Sequence, residues 1–101
     1  MIEVYRFEDE QGNGPWFTKD GKSSAFGTKA IEKCYKESYL LSCCGSINDL
    51  LNYFHTRTSC DELLNNNFKI VAYLVDNADY IIQTKNHLKF DVRHARRIGI
   101  I

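Results

Sequence analysis

"FKIVAYLV", residues 68–75, constrains this chain more than any other stretch. It is rich in β-branched and aromatic residues, and it is apolar whichever way its side chains alternate. A strand with one wet face alternates apolar and polar residues, whereas a strand covered on both faces reads as a continuous apolar run. The segment is therefore expected to be the central strand of a sheet, and the rest of the chain has to supply its cover.

Two helices are expected just before it. "SIND" sets Ser46 as an N-cap with Asp49 at the third helical position, a variant of the capping box. Ile47, Leu50, Leu51 and Phe54 then recur at helical spacing as one apolar stripe. "SCDE" repeats the device with Ser59 as cap and Glu62 reaching back. That helix ends in the asparagines 65–67, a residue type able to take a left-handed cap.

Other strands are expected around these. "IEVYRFE", residues 2–8, places Glu3, Tyr5 and Phe7 on one face, and Ile2, Val4, Arg6 and Glu8 on the other. "DEQGNGP", residues 9–15, reads as a turn. Residues 18–28 read as an irregular surface loop, and residues 29–41 are ambiguous between a short helix and a strand opening at "SYLLSCC". "DNAD" reads as a turn that folds residues 80–84 back onto 68–75 as a hairpin. "HLKFDV" is a further strand or that same strand resumed past a bulge, and "VRHARRIGII" is one helical turn before an apolar tail. Ile98, Ile100 and Ile101 are expected to add a last strand or cover the core. At 101 residues this is one domain spanning 1–101. The fold class is α+β, a small and mostly antiparallel sheet with two or three short helices on one side.

Composition narrows the function. Formal net charge is zero, which argues against a dedicated binder of phosphate backbones. The charges are segregated, however. Glu3, Glu8, Asp9, Glu10 and Asp20 face only Arg6 and Lys19 in the first twenty residues, while Lys85, Lys89, Arg93, Arg96 and Arg97 face only Asp91 after residue 84. Either the two ends neutralise each other, or the tail is a basic patch that docks an acidic surface or a nucleic acid. The N-terminus enters a charged strand at once, which reads against a secretory signal, and no apolar run is long enough to span a membrane. Cys34, Cys43, Cys44 and Cys60 are then expected as reduced thiols in a cytoplasm, with adjacent Cys43 and Cys44 ill placed to bond each other.

Catalytic chemistry finds little purchase. Cys43, Cys44, His55 and Cys60 match no ordinary zinc spacing, so no metal is expected. His55 ends a helix, where the dipole favours it; His87 sits in a turn and His94 in the basic tail. "GNG" lacks the third glycine and following helix of a dinucleotide fingerprint, so no cofactor is expected. Two features remain. Arg6 on a part-apolar face needs a carboxylate, with Glu8 two residues along as one candidate, or else a bound anion. Trp16 and Phe17, behind Pro15, either fill the core or stand as an interface anchor.

Three patches carry a resemblance. "VYRFEDEQGNGPW", "SCCGSINDLLNYF" and "HLKFDVRHARRI" together resemble the opening, helix and last strand of short phage and prophage proteins. The resemblance implies a small cytoplasmic inhibitor of host immunity, anti-CRISPR-like, that occludes a host protein complex such as a CRISPR effector. Arg6, Trp16, Phe17, Arg93, Arg96 and Arg97 are then the partner-binding residues, with Arg93, Arg96 and Arg97 along one side of a helical turn. On that reading, Trp16→Ala or Arg97→Ala weakens partner binding and leaves thermal stability nearly unchanged. The first-strand arginine after an aromatic is also similar to that of ADP-ribosyltransferases, where it helps hold a dinucleotide. The chain lacks their Ser-Thr-Ser strand and their Gln-x-Glu or Glu-x-Glu pair, so this alternative is a reduced enzyme or nucleotide-binding module using Arg6. The apolar tail also offers a homodimer surface.

Overall fold

The computed structural model describes residues 1–10, 12, 14, 15, 39–55, 60–65, 67–84 and 87–101, with His55 and Glu62 described by backbone alone. Among these residues six strands and two helices follow in chain order: β1 (Ile2–Glu8), β2 (Leu40–Cys43), α1 (Ile47–His55), α2 (Cys60–Asn65), β3 (Lys69–Val75), β4 (Ile81–Gln83), β5 (Leu88–Asp91) and β6 (Ala95–Ile100). Short 3-10 turns at Ala78–Tyr80 and Val92–His94 lead into β4 and β6.

β3 is central, as its two apolar faces require. It pairs antiparallel with β1 on one edge and β6 on the other. A second antiparallel sheet has the order β2-β5-β4. One bridge joins the two, with Tyr5 N–H donating to the Cys44 carbonyl at 2.9 Å and Cys44 N–H donating to the Tyr5 carbonyl at 2.8 Å. The described strands thus run β4-β5-β2-β1-β3-β6, every pair antiparallel.

Cover comes from a different element on each face of the β1-β3-β6 sheet. On one side Phe7 and Phe68 pack with Leu50 and Phe54 of α1 and Leu63 of α2. Phe7 and Phe54 meet edge to face at 5.3 Å, a geometry that adds to the area term. On the other side Val4, Val71, Tyr73 and Val75 pack with Cys43 of β2 and Phe90 of β5. Adjacent cysteines on a strand point oppositely, so Cys43 enters the sheet-sheet core while Cys44 enters the helix core. Burial pushes the Cys43 thiol up to about 12 and the Cys44 thiol up to about 11.

The helix signals have physical counterparts. Ser46 Oγ accepts from Asp49 N–H at 3.0 Å, which fixes the start of α1 and turns its stripe inward. At the end of α2, Asn67 takes φ 67°. Its N–H donates to the Leu64 carbonyl at 3.3 Å, and Phe68 N–H donates to the Leu63 carbonyl at 3.1 Å, the paired bonds of a Schellman motif. The roles expected of Ser59 and of the Glu62 side chain lie outside the described residues.

Two expectations need correction. Residues 80–84 do not fold back on β3; β4 pairs with β5, with Ile81 opposite Phe90. The reason lies in the turn, where Asn77 Oδ1 accepts from Asp79 N–H at 2.8 Å and caps a 3-10 turn. That turn carries the chain off into the second sheet, and Asp76 N–H donates to the His94 carbonyl instead. β5 is thus a further strand, not a resumed one. The second correction concerns the C-terminal isoleucines: Ile98 and Ile100 do lie in a strand, yet Ile98, Ile100 and the following Ile101 are 51%, 65% and 63% exposed. Among the described residues no helix is long and apolar enough to cross a membrane.

Candidate functional site: a clamped carboxylate beneath an exposed edge strand

Strand alternation sets Val4, Arg6 and Glu8 on the face of β1 that looks toward the second sheet. Arg6 and Glu8 are both buried there. Arg6 Nε lies 3.3 Å from Glu8 Oε2, so the carboxylate two residues along is a partner of this guanidinium. Burial lowers the Arg6 pKa and the nearby Glu8 charge opposes that shift. Glu8 holds two further donors: Tyr73 Oη donates to Oε2 at 2.6 Å, and Arg97 Nε donates to Oε1 at 3.2 Å.

One carboxylate therefore gathers side chains from β1, β3 and β6. Tyr73 is pushed up to about 12, by burial first and then by its bond to Glu8. The Cys43 thiol, on the same side of the sheet, is equally suppressed. Near neutral pH, neither Tyr73 nor Cys43 is ready to give up a proton. The arrangement is a structural clamp: it neutralises a buried guanidinium and anchors Arg97, whose side chain is 48% exposed against 2% for Glu8.

β6 carries the outward part. Ala95 to Arg97 stay in register with β3, then Ile98 has no partner across the ladder and Gly99 resumes pairing opposite Ala72. Such a bulge re-aims the side chains around it, and Gly99 at φ 134° adopts a backbone that L side chains rarely take. Beyond β6 no strand follows among the described residues. Arg96, Ile98, Ile100 and Ile101 are exposed along this edge.

The residues singled out from the sequence are thus dispersed. Arg6 is interior. Arg93 sits in the Val92–His94 turn and makes a two-pronged pair with Asp91, Nε to Oδ1 at 3.0 Å and Nη2 to Oδ2 at 2.7 Å. Its guanidinium also lies 4.0 Å from the Tyr39 ring centroid. The Arg93 guanidinium holds Asp91 down at about 2. Arg96 and Arg97 are consecutive strand residues and point to opposite faces, so the three arginines do not share one side of a helical turn. Strand geometry, with period two in place of 3.6, is the reason. Trp16, Phe17 and the loop 18–28 lie outside the described residues.

Sequence reasoning passed over Tyr73 and the reach of Arg97 to Glu8. Parity offered a signal for the first, because Tyr73 is the only hydroxyl-bearing residue in "FKIVAYLV" and is buried on the Arg6 side. Nothing local signals the second, since 89 residues separate the partners.

No curated protein and no solved structure matches the chain. A family model described as "Bacteriophage T4 Y00F protein" matches residues 1–101. With the whole length matched, the chain belongs to that bacteriophage protein family.

Proposed function

We propose that this phage-family chain is a binding protein that occludes a component of host defence, in the manner of an anti-CRISPR inhibitor, and that β6 is its docking edge. One observation carries the reading: an edge strand that presents Arg96, Ile98 and Ile100 exposed, with Ile101 exposed just after it. An unpaired strand edge invites a further strand from another chain, and proteins that keep such edges inert blunt them with inward charge, proline or cover. Here the charge that turns inward, Arg97, is spent on Glu8, and the apolar residues remain outside. Arg96 on the same edge gives the interaction a preference for acidic partners.

Arg6 is assigned to the scaffold and not to the docking surface, because Glu8 engages its guanidinium inside the fold. The same contact leaves the dinucleotide-holding alternative without a supporting observation. The test is a plating assay. The chain is expressed in a host whose CRISPR system targets an incoming phage, and plaques are counted with and without it. Recovery of plating by tenfold or more, with co-elution of the chain and the purified effector, is the expected result. Unchanged plating across the effector types of the host, at full expression of the chain, overturns the reading.

A further inference from the structure

A second surface, where α1 meets the second sheet, has its own chemistry. An open cleft of about 440 Å³ lies between α1 and the β4–β5 end of the second sheet, lined by Asp49, Asn52, Tyr53, Gln83, His87 and Leu88 among others. Clefts of roughly 300–1,000 Å³ are the usual size for small-ligand sites. What distinguishes this one is the sign and type of its polar groups. Its described lining holds no lysine or arginine, and its one full charge is the Asp49 carboxylate.

Two of the donors near the cleft are already committed. Gln83 Nε2 donates to the Thr84 carbonyl at 2.8 Å and points toward the His87 carbonyl at 3.4 Å, which turns the amide oxygen the other way. The Asp49 backbone N–H is taken by Ser46 Oγ, so what Asp49 offers is its side chain. That carboxylate lines the cleft together with the buried Cys44. Asn52, one turn along α1, adds an exposed amide. Tyr53 supplies a ring, standing edge to face with His87 at 5.3 Å.

We infer that this cleft is a binding site for a guanidinium group. A carboxylate, amide oxygens and an aromatic ring around one opening match a flat cation that carries several N–H donors in a fixed plane and stacks on aromatic faces. An anion or phosphate finds no lysine or arginine among the described lining residues to meet it. An ammonium ion satisfies the charge but cannot reach several in-plane acceptors at once. The guanidinium belongs either to a free small molecule or to an arginine side chain of a partner.

The test is titration of the isotope-labelled chain followed by amide NMR, with methylguanidinium, L-arginine, N-acetyl-arginine-N-methylamide and methylammonium as separate probes. Saturable shifts confined to residues 49–53 and 83–88 are expected with methylguanidinium, at an affinity at least threefold better than with methylammonium. Asp49→Asn is expected to weaken binding about tenfold, and Asn52→Lys, at an exposed helix position, to abolish it while the remaining spectrum stays folded. Tighter binding of L-arginine than of its capped form assigns the site to a free amino acid; the reverse assigns it to a partner's side chain. Linear, scattered shifts, equal affinity for methylammonium, or Asp49→Asn binding like the parent overturns the inference. Because the probes are small molecules and the variants lie away from β6, this outcome is independent of the plating result.

Discussion

β1 and β6 flank the same central strand, carry arginines, and treat them in opposite ways. β1 turns Arg6 inward and buries it with Glu8 under a second sheet. β6 sends only the tip of Arg97 inward and leaves Arg96, Ile98 and Ile100 in water. Their sequences give no hint of the contrast: "VYRFE" and "ARRIGI" are both apolar strands interrupted by arginine. Position in the sheet makes the difference. The first strand has Cys44 and β2 against its outer edge, while the last has no strand beyond it among the described residues. A charge inside a covered strand acts as scaffold, whereas apolar residues on a strand with no neighbour beyond it among the described residues stay exposed, and the proposed docking role rests on them.

The contrast can be broken most severely at Glu8. Glu8→Ala removes the carboxylate from Arg6 and leaves a buried guanidinium without its counter-charge, a loss of about 3–5 kcal/mol in a buried pair. Urea unfolding measures it, and a loss under 1 kcal/mol means that Arg6 relaxes to solvent and β1 is no scaffold. Alkaline pH attacks the same interior. Tyr73 and the Cys43 and Cys44 thiols all have folded pKa values above their ordinary ones of 10, 9 and 9. The unfolded chain therefore releases protons first. Their contribution is complete below about pH 9 and declines from there through about pH 12. The expected sign is a Tm that falls over that interval and falls less steeply in Cys43→Ala; a flat profile contradicts the burial assigned to these groups.

Smaller effects sharpen the comparison. Tyr73→Phe takes one donor from the buried carboxylate, for about 1–3 kcal/mol, read by the same unfolding curve. Arg97→Ala is expected to cost at most about 1 kcal/mol, because half of that side chain is in water. The Glu8 contact gives Arg97 a structural role beside the proposed docking role. A double-mutant cycle between Glu8 and Arg97 isolates the term.

How far the sequence could be read follows from the range of the interactions involved. α1 was legible because Ser46, Asp49 and the Leu50–Phe54 spacing are local, as was the Asn67 cap. The centrality of β3 was legible because burial on both faces leaves a mark in composition. The partner of β4 was not, since it depends on a 3-10 turn whose capping residue, Asn77, looks like any hairpin asparagine. At the site, Arg6 and its neighbour Glu8 were readable through strand parity. Arg97 reads as an exposed helical residue because a basic tail carries no trace of the strand it joins. Exposure of the isoleucines was the least accessible feature: an apolar tail signals burial until the topology shows that it lies on an edge.

The most direct test of the account is the Ile98→Lys/Ile100→Lys double variant, measured in the plating assay beside its own thermal unfolding. Both side chains are largely exposed, so Tm should stay within a few degrees of the parent, as surface changes of about 0.5 kcal/mol allow, while protection of the incoming phage disappears. Full protection by the variant, or loss of protection that only accompanies unfolding, contradicts the assignment of β6 as the working edge.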